Sequence, residues 1–145
     1  MTTATFTPDV VACRLAATSK KQLLQQLSTM VAAYAGLCDR KVLSAIISRE
    51  KLGSTGIGNG LALPHAILES ATGPVTLLAT LKTLVDFGSP DNMPVELMAL
   101  VLGADEDSNG DQSTVNAVPR ILYQRHAQIR HARSEADIRS ALEKP

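Results

Sequence analysis

GSTGIGNGLALPHA, residues 53–66, places four glycines in its first eight positions and then runs apolar into Pro64 and His65. Glycine lacks the Cβ that holds backbone N–H groups apart, so a glycine-dense loop can converge them on an anion. Ser54 and Thr55 add hydroxyl donors, and Asn59 is placed to brace the loop through its amide. The spacing excludes two common phosphate motifs. No lysine follows the last glycine, as GxxxxGK[ST] requires. The glycines also follow a helical stretch and lead into a strand, the reverse of a dinucleotide fingerprint. LALPHA reads as that strand, with a histidine at its far end.

Upstream of this stretch the pattern is helical. Val10 to Cys13 reads as a short strand, and Ser19 caps KKQLLQQLSTMVAAYAG, where Leu23, Leu27 and Tyr34 recur on one face before Gly36. Asp39 caps RKVLSAIISREKL, whose buried stripe is Val42, Leu43, Ile46 and Ile47. Downstream, VTLLATLK (75–82) and VELMALVLG (95–103) are apolar enough for central strands covered on both faces, joined by the turn-rich DFGSPDNMP. ADEDSNGD (104–111) reads as an acidic exposed connection. A third helix spans roughly 112 to 130. Pro119 inside it predicts a kink there or a start just before it, because an interior proline costs about 3 kcal/mol. Ser134 caps a last helix with Ile138 and Leu142 inward. The expected fold is α/β, a single domain over residues 1–145 with a mixed central sheet flanked by helices on both faces, residues 1–8 forming a loose lead-in.

Composition narrows the function. The 145 residues are 45% apolar, which supports a real core, and 14 basic residues balance 14 acidic ones. A neutral chain argues against a nucleic-acid binder that relies on a broad basic field, though not against a local anion site. The N-terminus has no basic n-region or long apolar run, so neither a signal peptide nor membrane insertion is expected, and the location reads as cytoplasmic. Cys13 and Cys38 stand apart and read as buried reduced thiols; the three histidines are not grouped with other ligands, so no metal is expected. His126 and His131 lie among arginines in what reads as a basic, solvated helical surface.

REKLGSTGIGNGLALPH, residues 49–65, resembles the active-site segment of the mannitol/fructose-type IIA proteins of the bacterial phosphotransferase system, and within them the nitrogen-regulatory branch. VDFGSPDNMPVELMALVLGAD and ARSEADIRSAL are similar to later segments of the same family. The resemblance implies that His65 accepts a phosphoryl group from a histidine phosphocarrier protein, with Arg49 and Thr55 stabilising the phosphate and Asn59 bracing the loop. It implies no cofactor. Its implied partners are the phosphocarrier as donor and regulated proteins such as a kinase or potassium-transport component, or else a IIB protein. The chemistry is physically reasonable, since a neutral imidazole is a competent nucleophile near its ordinary pKa of about 6.5. Transfer between two histidines needs mainly in-line positioning and charge stabilisation.

The sequence departs from the family in places. A second histidine is usual near the start of the penultimate helix, where this chain reads NGDQSTVNAVPRIL, with Asp111 or Ser113 at about that position. Ala66 stands where glycine usually follows the acceptor. Two alternatives therefore stand beside the regulatory carrier. One is a sugar-transport IIA component that donates its phosphate to a IIB cysteine. The other is an interaction module that is not phosphorylated.

Overall fold

The computed structural model describes residues 6–71, 73–103 and 109–143, without the side chains of 109–114. Among the described residues, four helices and six strands follow the order β1 (Val10–Leu15), α1 (Lys20–Ala35), α2 (Asp39–Leu52), β2 (Gly56–Gly58), β3 (Leu61–Ala62), β4 (His65–Ile67), β5 (Val75–Val85), β6 (Val95–Gly103), α3 (Asn109–Arg130) and α4 (Glu135–Glu143). The sheet is mixed. Its path is β1-β5-β6-β3-β2, with β4 also paired to β6. β5 and β6 run antiparallel at its centre and carry the long apolar stretches read from the sequence.

Helices cover both faces, as the apolar patterns require. On one face α1 and α2 bury Leu23, Leu27, Val31, Val42 and Ile46 against Leu77, Ala79 and Leu100. On the other, Val118, Leu122, Ile129 and Ile138 of α3 and α4 pack on Leu78, Leu97 and Val101. Ser19 accepts from the Gln22 amide at the start of α1, and Gly36 closes it in the left-handed conformation at φ 69°. Ser134 caps α4 through the Asp137 amide at 3.1 Å.

Four expectations about the elements need correction. Asp39 does not cap α2: it is the first residue of the helix, behind Cys38, and no side chain caps that end among the described residues. The third helix does not begin at Pro119 but runs through it from Asn109. Val118, Ile121 and Leu122 are buried on the sheet, and tertiary packing of that face outweighs the missing amide. The chain is not loose up to Pro8: Phe6 is buried in the α3/α4 core, and Arg139 donates to the Pro8 carbonyl at 3.0 Å. Nor are both thiols buried, since Cys13 is half-buried and Cys38 exposed. Residues 104–108 of the acidic connection lie outside the described residues. Among the described residues no helix is long and apolar enough to cross a membrane.

β1 carries one local irregularity. Its pairing with β5 shifts between Ala12 and Leu15, and Arg14 there adopts φ 56°. A left-handed conformation costs a non-glycine residue roughly 1 kcal/mol. The Arg14 amide donates to the Thr80 hydroxyl at 2.8 Å, which holds the bulge in place.

Candidate functional site

The glycine-rich stretch is a β-hairpin rather than an open loop. β2 and β3 pair antiparallel across Asn59 and Gly60, whose φ angles are 57° and 79°. Positive φ at both central residues is the geometry that favours Asn-Gly between twisted strands. The glycines serve a close approach as well. A Cβ on Gly56 would lie 2.2 Å from the Ser89 hydroxyl oxygen. What the stretch is built to approach is therefore the 86–94 connection. Ser54 donates to the Phe87 carbonyl at 2.5 Å, and the Asn59 amide donates to Asp91 Oδ2 at 2.9 Å. Asn59 thus braces the hairpin through its backbone.

Nor do the donors of this segment converge on open space. The Thr55 amide donates to both Glu50 carboxylate oxygens, at 3.1 and 3.2 Å, and the Thr55 hydroxyl donates to Oε1. The Gly56 amide bonds the Ser54 hydroxyl oxygen at 3.0 Å. The Glu50 side chain is only 5% exposed, and Lys20 Nζ lies 3.1 Å from it. That ammonium also donates to the Phe87 carbonyl at 3.3 Å and sits 4.4 Å from the centre of the Phe87 ring. The anion held here is the protein's own Glu50. A hydroxyl has one proton to give, so Thr55 as placed does not present it to an incoming phosphate.

His65 begins where the hairpin's second strand resumes. Pro64 has no amide and separates β3 from β4, yet its carbonyl accepts from Val101 at 3.0 Å, so both short strands stay on the edge of β6. Leu63 ties the pieces together. Its amide donates to the Thr55 carbonyl at 2.9 Å, while its own carbonyl lies 2.9 Å from His65 Nδ1. A carbonyl can only accept, so Nδ1 carries the proton. In the neutral ring the lone pair is then on Nε2, the nitrogen facing away from Leu63. The ring is half-buried.

Arg49 is half-buried at the end of α2 and donates from Nη1 to the Gly53 carbonyl at 3.1 Å. A guanidinium has five N–H donors, which leaves others for a ligand. Leu52, Ile57 and Ile67, all large and exposed, come from the end of α2, from β2 and from β4 beyond His65. α3 begins after β6 ends at Gly103, which pairs with Ile67, so its first turns belong to the His65 end of the sheet. Asp111 and Ser113 fall in those turns, and their side chains lie outside the described residues.

Sequence reading singled out neither Glu50 nor Lys20. Glu50 stands inside the quoted segment, but Lys20 reaches it from a different helix and leaves no local mark. His126 also differs from its expected place on a solvated surface: its Nε2 lies 2.6 Å from Glu96 Oε1. Among the described residues no group of three His, Cys, Asp or Glu is arranged to hold a metal.

Asp91 makes the hairpin tip sensitive to acid. Backbone N–H bonds, chiefly from Asn59 and then Met93, hold its carboxyl below the usual carboxylate range. A depressed value means a contribution present above the ordinary carboxylate pKa of about 3.9 and lost as pH falls through the lower folded value. At neutral pH, Asp91→Ala should speed hydrogen exchange at the Asn59 amide and leave the core amides unchanged. Equal exchange in both proteins would remove Asp91 as the tether.

The model of the phosphoenolpyruvate-dependent sugar phosphotransferase system EIIA 2 family matches residues 4–144. A nitrogen regulatory protein from Bradyrhizobium diazoefficiens is 32% identical over 140 residues, covering 95% of this chain and 92% of that protein. A nitrogen regulatory protein from Klebsiella oxytoca is 46% identical over 90 residues, 61% of this chain and 56% of the relative, so the match spans about half its length. Among solved structures, nitrogen regulatory protein IIA-Ntr from Neisseria meningitidis shares the fold, with a TM-score of 0.84 at 23% identity over 92% of each chain.

Proposed function

Because the chain belongs to the EIIA 2 family of the phosphotransferase system, alongside its nitrogen regulatory proteins, we propose that it is a regulatory phosphoryl carrier charged on His65. The observation that carries this reading is the bond from Nδ1 to the Leu63 carbonyl, which leaves Nε2 as the free nucleophile. The Nε2 lone pair attacks the phosphorus of a phosphohistidine on a histidine phosphocarrier protein. The donor's P–N bond breaks, and its electron pair returns to the donor imidazole. As the new bond forms, positive charge develops on the His65 ring, and the Leu63 carbonyl facing Nδ1–H stabilises it.

The exposed Leu52, Ile57 and Ile67 suit docking of the donor around the ring. Arg49 keeps guanidinium donors free beside its Gly53 bond and supplies positive charge to the phosphoryl oxygens. Thr55 acts chiefly through its carbonyl and through Glu50, fixing Leu63; its hydroxyl would reach a phosphate only after releasing Glu50. Asn59 acts by holding the turn. The charged form gains about −1.5 to −2 of charge and thereby selects among regulated partners, a kinase or potassium-transport component being the expected class.

Intact-protein mass spectrometry at neutral to alkaline pH, after incubation with the charged phosphocarrier, tests this. One acid-labile phosphoryl group should be gained. No gain from a demonstrably charged cognate donor would favour the interaction module that the missing second histidine suggests.

A further inference from the structure

A second surface lies at the other end of the sheet from His65. His65 pairs with Val101, whereas Glu96 lies five residues back along β6, roughly 16 Å away at about 3.3 Å per residue. There the outer half of β5, the start of β6 and the C-terminal half of α3 enclose two adjoining clefts of about 590 and 650 Å³ that share Leu84, Glu96 and Arg130.

One cleft is cationic. Arg14, Lys82 and Arg130 line it against a single carboxylate, Glu96. Glu96 is already engaged, by His126 at 2.6 Å and Arg130 at 3.6 Å. Among the described residues, neither Arg14 nor Lys82 has a carboxylate within ion-pair distance. In a chain of zero net charge this is a local surplus of positive charge. The bulge in β1 maintains it, because the left-handed backbone at Arg14 turns that side chain out of the regular strand alternation. The adjoining cleft is mixed: Asn59, Gln124 and His126 line it beside an apolar lobe of Leu84, Met93 and Tyr123, which are 59%, 51% and 64% exposed. Three large apolar side chains left in water around one groove mark a binding surface.

We propose that this groove docks an acidic segment of a partner protein, its carboxylates on Arg14 and Lys82 and a large apolar side chain against Leu84, Met93 and Tyr123. Charge complementarity selects the occupant, and the apolar lobe separates a protein segment from a bare polyanion. The charged contacts, Arg14 and Lys82, lie away from His65, and only the turn at Asn59 and Gly60 borders both surfaces, so the carrier can hold a target by one end while its phosphorylation state is read at the other.

The test is selection of random displayed peptides on the full chain, followed by chemical-shift mapping of the winners. Acidic sequences with one or two large apolar residues should be enriched, and they should shift the amides of Arg14, Lys82, Leu84 and Tyr123. The double reversal Arg14→Glu/Lys82→Glu should weaken them about tenfold or more without changing phosphoryl uptake on His65. Higher salt should weaken them as well. No enrichment, enrichment of basic or uncharged sequences, shifts around His65 instead, or affinity indifferent to the reversal would each overturn the proposal. So would equally tight binding of an oligonucleotide or an anionic vesicle at the same residues.

Discussion

Replacing His65 with alanine is expected to abolish phosphoryl uptake outright while leaving the fold in place. The ring is half-buried, and its hydrogen bond to the Leu63 carbonyl contributes about 1 kcal/mol, as a typical protein hydrogen bond does. Its loss should lower stability by no more than that order. The nucleophile, by contrast, has no substitute. His126 is held by Glu96 at the far end of the sheet, and His131 is an exposed residue beyond α3. His65→Gln refines the test, because glutamine keeps a donor for the Leu63 carbonyl and offers no ring nitrogen. Both variants should show no mass gain with a charged donor and near-native urea midpoints. Residual phosphorylation of His65→Ala would move the acceptor to another residue.

Gly56→Ala is expected to be the most damaging conservative change in the hairpin. The new methyl would lie 2.2 Å from the Ser89 hydroxyl oxygen and 3.2 Å from the Ser89 Cα. Rotating the serine relieves only the first contact, so the hairpin and the 86–94 connection must still move apart by a few tenths of an ångström. Overpacking of this kind costs about 1–3 kcal/mol, a large share of a stability of roughly 5–15 kcal/mol. Ser89 supplies its own control. Its hydroxyl is buried without a hydrogen-bond partner among the described residues, so Ser89→Ala alone should be neutral or stabilising. In the double variant, part of the Gly56→Ala loss should return. Additive effects across the urea-unfolding cycle would mean that the two residues do not meet as described. Uptake should fall in Gly56→Ala as well, because Thr55, next in the chain, positions Leu63 through its carbonyl.

The fold was largely legible because its signals are local. β6 runs over the apolar stretch read as a strand, and Gly36 and Ser134 end and begin helices as residues of their type do. Non-local packing explains the misses. Phe6 gains its place only in the core shared by the sheet with α3 and α4, and the helix through Pro119 is held by the sheet beneath it. The candidate site was legible as a segment but not as a mechanism. Asn59-Gly60 is a hairpin signal in the sequence, yet four glycines in eight residues equally suggested an anion nest. That the Thr55 donors are occupied by Glu50, with Lys20 behind it, depends on where α1 begins and α2 ends in space. The tautomer of His65 was also out of reach, since it follows from one carbonyl two residues earlier.

The central claim is that His65 Nε2 takes the phosphoryl group, and nitrogen–phosphorus NMR on histidine-labelled protein charged by its donor measures that bond. The account predicts a single phosphoramidate on Nε2 of His65, with Nδ1 still protonated against Leu63. A phosphorus coupled to Nδ1 or to another histidine, or no phosphoramidate signal from a chain shown to be folded, would contradict it.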